Sequence, residues 1–357
     1  MLSGDRWRII ILAALAGIVV AALLPEPESE ENYGYSPNRG GTAAFLRELK
    51  DPYFRQAGSE AIAKATGRNT MLYRAALAAH QERYSRPFVV GQQGIGDCVS
   101  WGWAMGVWVA QSVDWEDGRL AEPPLMPATE SIYGGSRVEA RGKNGDGRSA
   151  VGGYSDGSYG GAAARWVNEW GVVYREPQDR DDLTTYSADR AKKWGAYGNG
   201  GEGDDGQLDE AAKAHPCQHV ALVTNFEEAA AAIESGFPVP VCSMAGFSST
   251  RGEHGFARRS GSWAHCMCFV AVRYGSGDDG RGEADNSGRK GLLCINSWGP
   301  TWIDGPKWPA DMPEGSFWVD ENVVNEMLRG EDSFAVGSVD GFGWRDLHHG
   351  AWMDERR

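Results

Sequence analysis

The stretch from Gly91 to Trp108, "GQQGIGDCVSWGWAMGVW", joins a glycine-rich approach to an apolar run that is rich in tryptophan. Asp97 is a residue type that favours the position before a helix, and the chain from Cys98 to about Val113 is apolar on nearly every side. This pattern predicts a buried helix that begins at Cys98. Because the positive end of a helix dipole favours thiolate over thiol, the position suits a reactive cysteine. Taken alone, however, such a cysteine is more often an inert buried side chain.

Two later segments add a histidine and an asparagine that could act with this thiol. "SGSWAHCMCFVAVRYG" (260–275) places His265 at the head of an apolar strand. "GLLCINSWGPTW" (291–302) places Asn296 at the end of another apolar strand, beside Trp298. Each residue alone is more often structural, as a satisfied core histidine or a turn asparagine. A thiol peptidase, however, needs a nucleophile, a base that moves its proton and an amide that orients the base.

Together these segments resemble the papain family of cysteine peptidases. The resemblance is that of a divergent member of bacterial or phage type. "NSWGPTW" at 296–302 is similar to the family signature Asn-Ser-Trp-Gly-x-x-Trp, and it is the most specific match. "QQGIGDC" resembles the Gln-Gly-x-x-Gly-x-Cys segment, and "AHCMCFVAVRYG" resembles the His-Ala-x-x-x-Val-Gly-Tyr strand. "DGSYGGAAARWVNEWGVV" (156–173) resembles the substrate loop with the helix after it, and "GSFWV" (315–319) resembles a later strand. The resemblance covers roughly residues 86–340.

The resemblance implies an α+β, papain-like fold with two lobes and the active-site cleft between them. One lobe is helical and the other is an antiparallel β-barrel-like lobe. It also implies a cysteine-type endopeptidase that hydrolyses peptide bonds through a thioester acyl-enzyme. In that reaction Cys98 is the nucleophile, His265 the base and Asn296 the residue that orients the base. The expected partner is a peptide or protein substrate, and no metal or organic cofactor is needed.

The resemblance further assigns residues around the reacting bond. Gln92, six places before Cys98, is expected to stabilise the oxyanion, and a one-residue slip would give that role to Gln93. Trp298 is expected to shield the oriented imidazole from water. The substrate loop is expected at Gly157–Ser158, and the Gly160–Gly161 pair is the alternative register. The residues expected along the substrate are Gly96, Gly157, Ser158 and Ala264.

Several departures from the family leave the reactivity of this site open. The local signature of the family is Cys-Gly-Ser/Ala-Cys-Trp/Tyr, but here Ile95 replaces the first cysteine and Val99 replaces the aromatic residue. Asp97 adds a negative charge beside the thiolate and opposes the helix dipole. His265 and Asn296 follow the cysteine by 167 and 198 residues, against about 130–150 in the family. The alternatives are a catalytically silent binding or structural module on the same fold, associated with a virion or a cell surface, and a cell-wall amidase.

Composition limits the partners of the chain. Its 357 residues are 41% apolar, which suffices for a core, and carry a formal net charge of -14. No basic run follows the first eight residues. Because phosphate binding needs clustered lysine and arginine, this argues against a nucleic-acid partner. The six cysteines are too few for a disulfide framework in a chain of this length.

Residues 1–24 contain two arginines followed by an apolar run from Ile9 to Leu24. This is the pattern of a signal anchor, or of a signal peptide if the segment is cleaved. We therefore expect a membrane-anchored chain with an extracytoplasmic peptidase domain, or a secreted one after cleavage. The predicted boundaries are 1–24 for this segment, 25–85 for a linker and helical N-terminal extension (a candidate pro-segment), 86–340 for the papain-like peptidase domain and 341–357 for a C-terminal tail.

Secondary structure away from the candidate site is predicted from pattern. Residues 25–41 are predicted to be a linker; 42–50 and 59–83 are predicted helices, with Thr42 and Ser59 as N-caps. "FEEAAAAIES" (226–235) predicts another helix, and "GFPVPVCSM" after it predicts a strand. Three glycine-rich segments are predicted surface insertions: 141–153, 196–206 and 275–290.

Overall fold

The computed structural model describes residues 30–142, 156–178, 180–202, 206–215, 217, 219–337 and 341–347. Its helices are α1 (Arg39–Leu46), α2 (Phe54–Ala57), α3 (Ser59–Lys64), α4 (Tyr73–Tyr84), α5 (Cys98–Glu116), α6 (Thr129–Arg137), α7 (Glu139–Gly142), α8 (Gly160–Glu169), α9 (Ala188–Tyr197), α10 (Gln207–Lys213), α11 (Phe226–Glu234) and α12 (Glu321–Leu328). Its strands are β1 (Glu30–Asn32), β2 (Thr70–Met71), β3 (His219–Leu222), β4 (Val239–Arg251), β5 (Ala257–Arg273), β6 (Gly291–Ile295), β7 (Ser316–Asp320) and β8 (Phe334–Gly337).

Helix α5 is buried along nearly its whole length, because its sequence is apolar on every side. It packs against α4, α6 and α8 as well as against β4, β5 and β8. Its residues contribute to both hydrophobic cores of the molecule. The predicted helix that begins at Cys98 is therefore confirmed, and it lies where the helical and β-rich parts meet.

Strand β5, which is 17 residues long, is the centre of the main sheet. The strand order is β1-β5-β6-β7, and β2 and β4 also pair with β5. Strand β1 runs parallel to β5, whereas β2, β4 and β6 run antiparallel to it. Strands β3 and β8 form a separate antiparallel pair. The predicted mixed α+β fold is confirmed, and within the described residues the sheets are open rather than closed into a barrel.

Two glycines allow α5 to approach the main sheet closely. A Cβ at Gly102 would lie 2.7 Å from the carbonyl oxygen of Met267, and a Cβ at Gly106 would lie 2.6 Å from Cγ of Pro240. Larger residues at either position would therefore push the helix away from β4 and β5. Because residues four apart share one face of a helix, Cys98 lies on the same close-packed face one turn earlier.

The helix predicted over 59–83 is interrupted, so this prediction is wrong at its centre. The chain leaves α3, forms β2 against β5, and only then begins α4. Gly67 has a positive φ of 74° in the intervening turn. The side chain of Asn69 fixes that turn, since it donates to the carbonyl oxygen of Ser276 at 2.9 Å and accepts from the N–H of Tyr274 at 2.7 Å. Pairing with β5 thus overrides the local preference for helix.

The N-caps predicted for the first helices are wrong. Helix α1 begins earlier than expected, and Asn38 caps it with its side chain. Thr42 lies inside α1, and its hydroxyl donates instead to Oδ1 of Asp332 at 2.6 Å. Ser59 is the first residue of α3, and Gly58 occupies the cap position. A tertiary partner for Thr42 explains why local capping preference failed there.

The described residues before Cys98 are packed into the two cores. Phe54 and Leu72 belong to the core that includes most of the main sheet. Tyr35 and Phe45 belong to the core that includes the start of α5. This N-terminal part therefore contacts both the helical and the β-rich parts of the chain.

Arginine–aspartate pairs fasten the loop between β5 and β6. Arg273 and Asp285 are both fully buried, and Nε of Arg273 lies 3.1 Å from Oδ2 of Asp285. Arg74 of α4 is also buried; it pairs with Asp279 of the loop and, at 2.8 Å from Nε, with Asp311. This glycine-rich insertion is therefore held to the body of the fold by charge.

Two further predictions are confirmed: helix α11 (Phe226–Glu234) lies within the predicted 226–235, and β4 (Val239–Arg251) is the next element. Segment 1–24, most of 141–153 and the end of the tail at 348–357 lie outside the described residues. In the part of the chain that the structure does describe, no helix combines the length and apolar character needed to cross a membrane.

Candidate active site

Cys98 is the first residue of α5, and its side chain is fully buried. Its sulfur has a hydrogen bond with the backbone of Cys266, the residue that follows His265. Burial raises the pKa of the Cys98 thiol well above its ordinary value, and the neighbouring Cys266 and Asp97 raise it further. The thiolate expected from the helix position is therefore not favoured while the site is covered in this way.

His265 lies in the middle of β5 rather than at its head, because the strand begins at Ala257. Its Nε2 is 2.7 Å from Oδ1 of Asn296, the residue that follows β6. The backbone N–H of Ser297 also donates to this Oδ1, at 2.7 Å. Since Oδ1 can only accept, Nε2 carries the hydrogen and Nδ1 is the basic nitrogen. Nδ1 is buried and has no hydrogen-bond partner among the residues that the structure describes.

Aromatic rings enclose this imidazole. The ring of Trp298 stacks on His265, with centroids 4.7 Å apart and planes at 26°. The ring of Tyr33 approaches from another side, with centroids 5.5 Å apart. Burial lowers the pKa of His265 to about 4, although the hydrogen bond to Asn296 acts in the opposite direction. Trp298 thus lies against a buried imidazole whose low pKa keeps it neutral.

Asp97 occupies the cap position of α5, but its side chain forms no capping hydrogen bond, so that part of the prediction is wrong. Its Oδ2 accepts instead from the hydroxyl of Tyr186 at 2.9 Å. This hydroxyl in turn accepts from the N–H of Gly94 at 3.1 Å. Burial raises the pKa of Asp97 to about 7, while the hydrogen bond from Tyr186 limits the increase. The carboxyl group beside the nucleophile therefore changes its charge near neutral pH.

The two glutamines before the nucleophile face different ways. Gln92 is exposed, and its backbone pairs with that of Trp298. The side chain of Gln93 is directed into the site, where its Nε2 donates to the carbonyl oxygen of Tyr33 at 2.9 Å. Its Oε1 accepts from the hydroxyl of Ser297 at 2.7 Å. The amide N–H that reaches a carbonyl oxygen in the site thus belongs to Gln93.

Residues 30–36, here called the cleft segment, cross the site beside β5. The first three form β1, which pairs in parallel with residues 262–264. The N–H groups of Tyr33 and Tyr35 both donate to the carbonyl oxygen of Ala264, at 3.0 and 3.3 Å. The cleft segment therefore uses the backbone of the residue that directly precedes His265.

The other edge of the cleft segment pairs with the predicted substrate loop. The N–H of Ser158 donates to the carbonyl oxygen of Gly34 at 2.9 Å, and the N–H of Ser36 donates to the carbonyl oxygen of Ser158 at 2.8 Å. Gly34 has a φ of 117°, and a Cβ there would lie 2.2 Å from the carbonyl oxygen of Gly96. Gly34 must therefore be glycine for the segment to pass this close to Gly96.

Both registers considered for the substrate loop lie near the site, with different contacts. Gly157 and Ser158 are next to the cleft segment; a Cβ at Gly157 would lie 2.6 Å from the hydroxyl of a cleft-segment serine. The N–H groups of Gly160 and Gly161 instead donate to Asp332, each at 2.7 Å. The structure thus brings Gly157 and Ser158 to an extended chain and uses the second pair to hold a buried carboxylate.

Sequence reasoning missed four side chains of the site: Tyr33, Tyr35, Tyr186 and Asp332. The linker predicted over 25–41 is wrong for its described part, because residues 30–36 are paired on both edges. One signal was available in "ENYGYS" (31–36), where two aromatic residues flank a glycine within a polar stretch. Free linkers seldom carry such aromatic pairs, since aromatic side chains gain much from burial.

Comparisons with known proteins give the fold. No family model matches the chain, and no curated protein matches it. Among solved structures it is similar to xylellain, a cysteine protease from Xylella fastidiosa, with a TM-score of 0.53 and 16% identity over 89% of this chain and 100% of that one. It is also similar to the procathepsin L2 proteinase from Tenebrio molitor larval midgut, with a TM-score of 0.49 and 14% identity over 89% of this chain and 81% of that one.

At this level of identity the similarity to xylellain establishes the fold and no more. The chain therefore has the fold of papain-like cysteine proteases, and the resemblance stated from its motifs is confirmed at that level. Within this fold, Asn296 orients the imidazole of His265, the buried thiol of Cys98 contacts the backbone of the residue that follows this histidine, and the Gln93 amide donates to a carbonyl oxygen of the cleft segment.

Proposed function

We propose that this chain is a cysteine endopeptidase stored in a latent form, with its cleft covered by residues 30–36. The observation that carries the proposal is the 2.7 Å contact between Nε2 of His265 and Oδ1 of Asn296. It leaves Nδ1 of His265 as a base next to the strand position that contacts Cys98. These are the groups that acyl transfer to sulfur requires.

In the proposed reaction the thiol of Cys98 gives its proton to Nδ1 of His265, and the thiolate attacks the carbonyl carbon of the peptide bond. The oxyanion accepts hydrogen bonds from the Gln93 amide and the N–H of Cys98. The imidazolium then protonates the leaving amine as the C–N bond breaks, and a thioester remains. The same imidazole takes a proton from water, which hydrolyses the thioester and returns the free thiol.

Two observations support latency. The cleft segment hydrogen-bonds to Ala264 and Ser158, which the resemblance assigns to substrate binding. Burial beneath it raises the pKa of Cys98 and lowers that of His265 to about 4, so the proton stays on sulfur. When the segment leaves, water and substrate enter, and the two pKa values move toward each other. The ion pair that attacks the substrate then becomes accessible.

Gly34→Ala should open the site. Its Cβ would lie 2.2 Å from a backbone oxygen, so the cleft segment must leave its position. Gly40→Ala is a matched control, because a Cβ there meets its nearest neighbour at an ordinary 3.7 Å. We expect an epoxide probe for thiol peptidases to label Gly34→Ala faster than the wild-type chain, with Gly40→Ala close to wild type. Equal labelling of all three would contradict latency.

Cys98→Ala in the Gly34→Ala background should abolish labelling. Cys294→Ala is the control, since that thiol is equally buried but lies in β6. Labelling that persists without Cys98 would exclude it as the nucleophile. A Gly34→Ala chain that is never labelled would instead favour a silent binding module. Digestion of a protein substrate beside purified peptidoglycan separates a peptidase from a cell-wall amidase.

Gln93→Ala should lower kcat by about a hundredfold to a thousandfold, because one oxyanion donor is lost. We assign this role to Gln93 rather than Gln92, because Gln92 is exposed and Gln93 already holds a carbonyl oxygen at 2.9 Å. Gln92→Ala should therefore lower kcat far less. A larger loss in Gln92→Ala would restore the assignment first made from the sequence. Both rates are measured with a fluorogenic peptide in the Gly34→Ala background.

We also propose that the peptidase acts outside the cytoplasm. This proposal rests on the sequence of residues 1–24 alone. Fractionation of cells that express the full chain tests this location. Mass spectrometry of the recovered protein would report its mature N-terminus.

A further inference from the structure

The side chain of Tyr35 fills a pocket beside the reacting groups. It is 3% exposed, and its backbone pairs with that of Ser158. Its hydroxyl hydrogen-bonds to the carboxyl group of Asp332, and Cys242 and Cys266 lie close enough to affect it electrostatically. A Cβ at Gly330 would lie 4.0 Å from the hydroxyl oxygen, so the far end of the pocket is closed there. The pocket thus lies in the buried apolar cluster that includes Cys242 and Cys266, and it has a carboxylate at its end.

Asp332 is itself 3% exposed, and its hydrogen bonds divide into two groups. The N–H groups of Gly160 and Gly161 at the start of α8 donate to its two oxygens, each at 2.7 Å. The hydroxyls of Tyr35 and Thr42, the latter at 2.6 Å, are the other donors. The glycine contacts belong to the body of the fold, whereas both hydroxyls belong to the N-terminal part.

Displacement of the cleft segment removes the tyrosine hydroxyl from Asp332. The carboxylate then keeps its contacts to α8 but loses a donor at the cleft side, where it has a lone pair to offer. A buried acceptor without a partner is costly, so the open pocket favours an occupant that replaces the lost donor.

We propose that this pocket binds a side chain of the substrate, and that Asp332 makes it select a side chain that ends in a hydrogen-bond donor, with tyrosine as the best fit. The inference rests on the proposed peptidase function, since the occupant is a side chain of a peptide that takes the place of the cleft segment. Tyr35 is the stand-in for that side chain. Phenylalanine has the same ring but leaves Asp332 without a donor on the cleft side, and sites built to bind a hydroxyl discriminate strongly against its absence.

Selectivity is measured with the full chain carrying Gly34→Ala. Fluorogenic peptides vary each of the residues before the scissile bond in turn among tyrosine, phenylalanine and leucine. The pH is kept above the pKa of Asp332, which burial raises to about 6. At one position we expect kcat/KM for tyrosine to exceed that for phenylalanine about tenfold or more. Equal rates at every position would overturn the proposal.

Asp332→Asn tests the residue behind the selectivity. The variant should reduce the tyrosine-to-phenylalanine ratio at least about fivefold, because the amide pairs poorly with both groups of donors. Glu228→Gln is the matched control, since Glu228 is a buried carboxylate that accepts from the N–H of Thr224 at 2.9 Å on α11. This control should leave the ratio unchanged. A ratio that survives in Asp332→Asn would assign the selectivity to another residue.

Tyr35→Phe gives a measurement that does not alter the pocket. In the wild-type background it removes only the hydroxyl that meets Asp332, so the cleft segment should be held less tightly. We expect several-fold faster epoxide labelling of Cys98 in the full chain. Tyr33→Phe should have a much smaller effect, because the Tyr33 hydroxyl bonds to exposed Glu31. Unchanged labelling in Tyr35→Phe would count against the hydroxyl–carboxylate contact.

Failure of this inference differs visibly from failure of the proposed function. If no peptide is cleaved and Cys98 is never labelled, the peptidase function itself fails. If peptides are cleaved without preference for tyrosine over phenylalanine, the peptidase function stands and only the selection of a side chain by Asp332 is overturned.

Discussion

The buried carboxylates of the β5–β6 loop and those of the cleft are held in opposite ways. Burial alone would raise the pKa of Asp285, but hydrogen bonds from Arg273 and Ser287 lower it below its ordinary value. In the cleft, burial raises the pKa of Asp97 to about 7 and that of Asp332 to about 6. Within the described residues neither cleft carboxylate has a lysine or arginine ion pair, and hydroxyl and N–H groups are their donors.

The two sets of carboxylates differ in whether their charge changes with pH. A carboxylate with a buried arginine stays ionised across the ordinary pH range and holds two segments together. A carboxylate with neutral donors gains or loses a proton near neutral pH, next to the nucleophile or the segment that covers it. A change of pH near neutrality therefore alters the charge of the site but not that of the β5–β6 loop.

Arg273→Met should produce the largest loss of stability, because it leaves Asp285 buried without its cation. Removal of one partner from a buried pair costs about 3–5 kcal/mol. The double variant Arg273→Met/Asp285→Leu should recover most of this loss, since replacing both charges is far less costly. Urea denaturation measures all three chains. A loss below about 1 kcal/mol in the single variant would remove the distinction between the two sets of carboxylates.

Asp97→Asn should have the opposite effect, at alkaline pH. The folded-state pKa of Asp97 is about 7, above its ordinary 3.8. The fold therefore binds this proton more tightly than the unfolded chain, gains stability as pH falls below about 7, and lacks that gain above it. Because the amide of the variant cannot ionise, the variant should be more stable than wild type above neutral pH, by at most ~4 kcal/mol. The advantage should shrink on acidification; a pH-independent difference would contradict the assignment.

Tyr186→Phe should cost less, about 1–3 kcal/mol, because Asp97 loses its hydroxyl donor and the N–H of Gly94 loses an acceptor. Thermal unfolding of this variant can be compared with that of Tyr197→Phe, whose side chain is 51% exposed. Equal unfolding temperatures for the two variants would show that the Tyr186 hydroxyl contributes little.

Glu60→Gln should have the smallest effect. Glu60 pairs with Lys64 at 2.7 Å on the exposed face of α3, where water and salt screen the interaction. We expect an unfolding temperature within experimental error of wild type. A clear decrease would mean that an exposed pair also supports the fold, which would weaken the contrast with the buried pairs.

Much of the site could be predicted because its central residues lie at the ends of apolar runs. Cys98 starts a helix that is apolar all round, and Asn296 ends an apolar strand, so local pattern alone placed both. The histidine could be assigned to β5 but not to its middle, because β5 extends through the polar residues that precede it. Pairing with β4 and β1 sustains that extension, and a single sequence does not display it.

Other parts of the site depend on contacts between distant segments. Thr42 and Asp332 meet across 290 positions, and this contact removed Thr42 from its expected role as a cap. Which of Gln92 and Gln93 can donate to the oxyanion depends on how the chain turns just before Cys98. A one-residue shift in the comparison with the family motif exchanges the two. The cleft segment lies in a stretch rich in Pro, Glu, Gly and Asn (25–41), so its surroundings match a linker. Its order comes from partners supplied by β5 and the substrate loop.

The contact between Tyr35 and Asp332 also has an evolutionary consequence. One carboxylate serves both the residue that covers the cleft and, on our proposal, the substrate side chain that replaces it. A lineage that altered Asp332 to process a new substrate would loosen its own cover at once, and would then be exposed to uncontrolled proteolysis. Positions 35 and 332 should therefore be inherited as a matched pair, and an alignment of related chains should show them changing together.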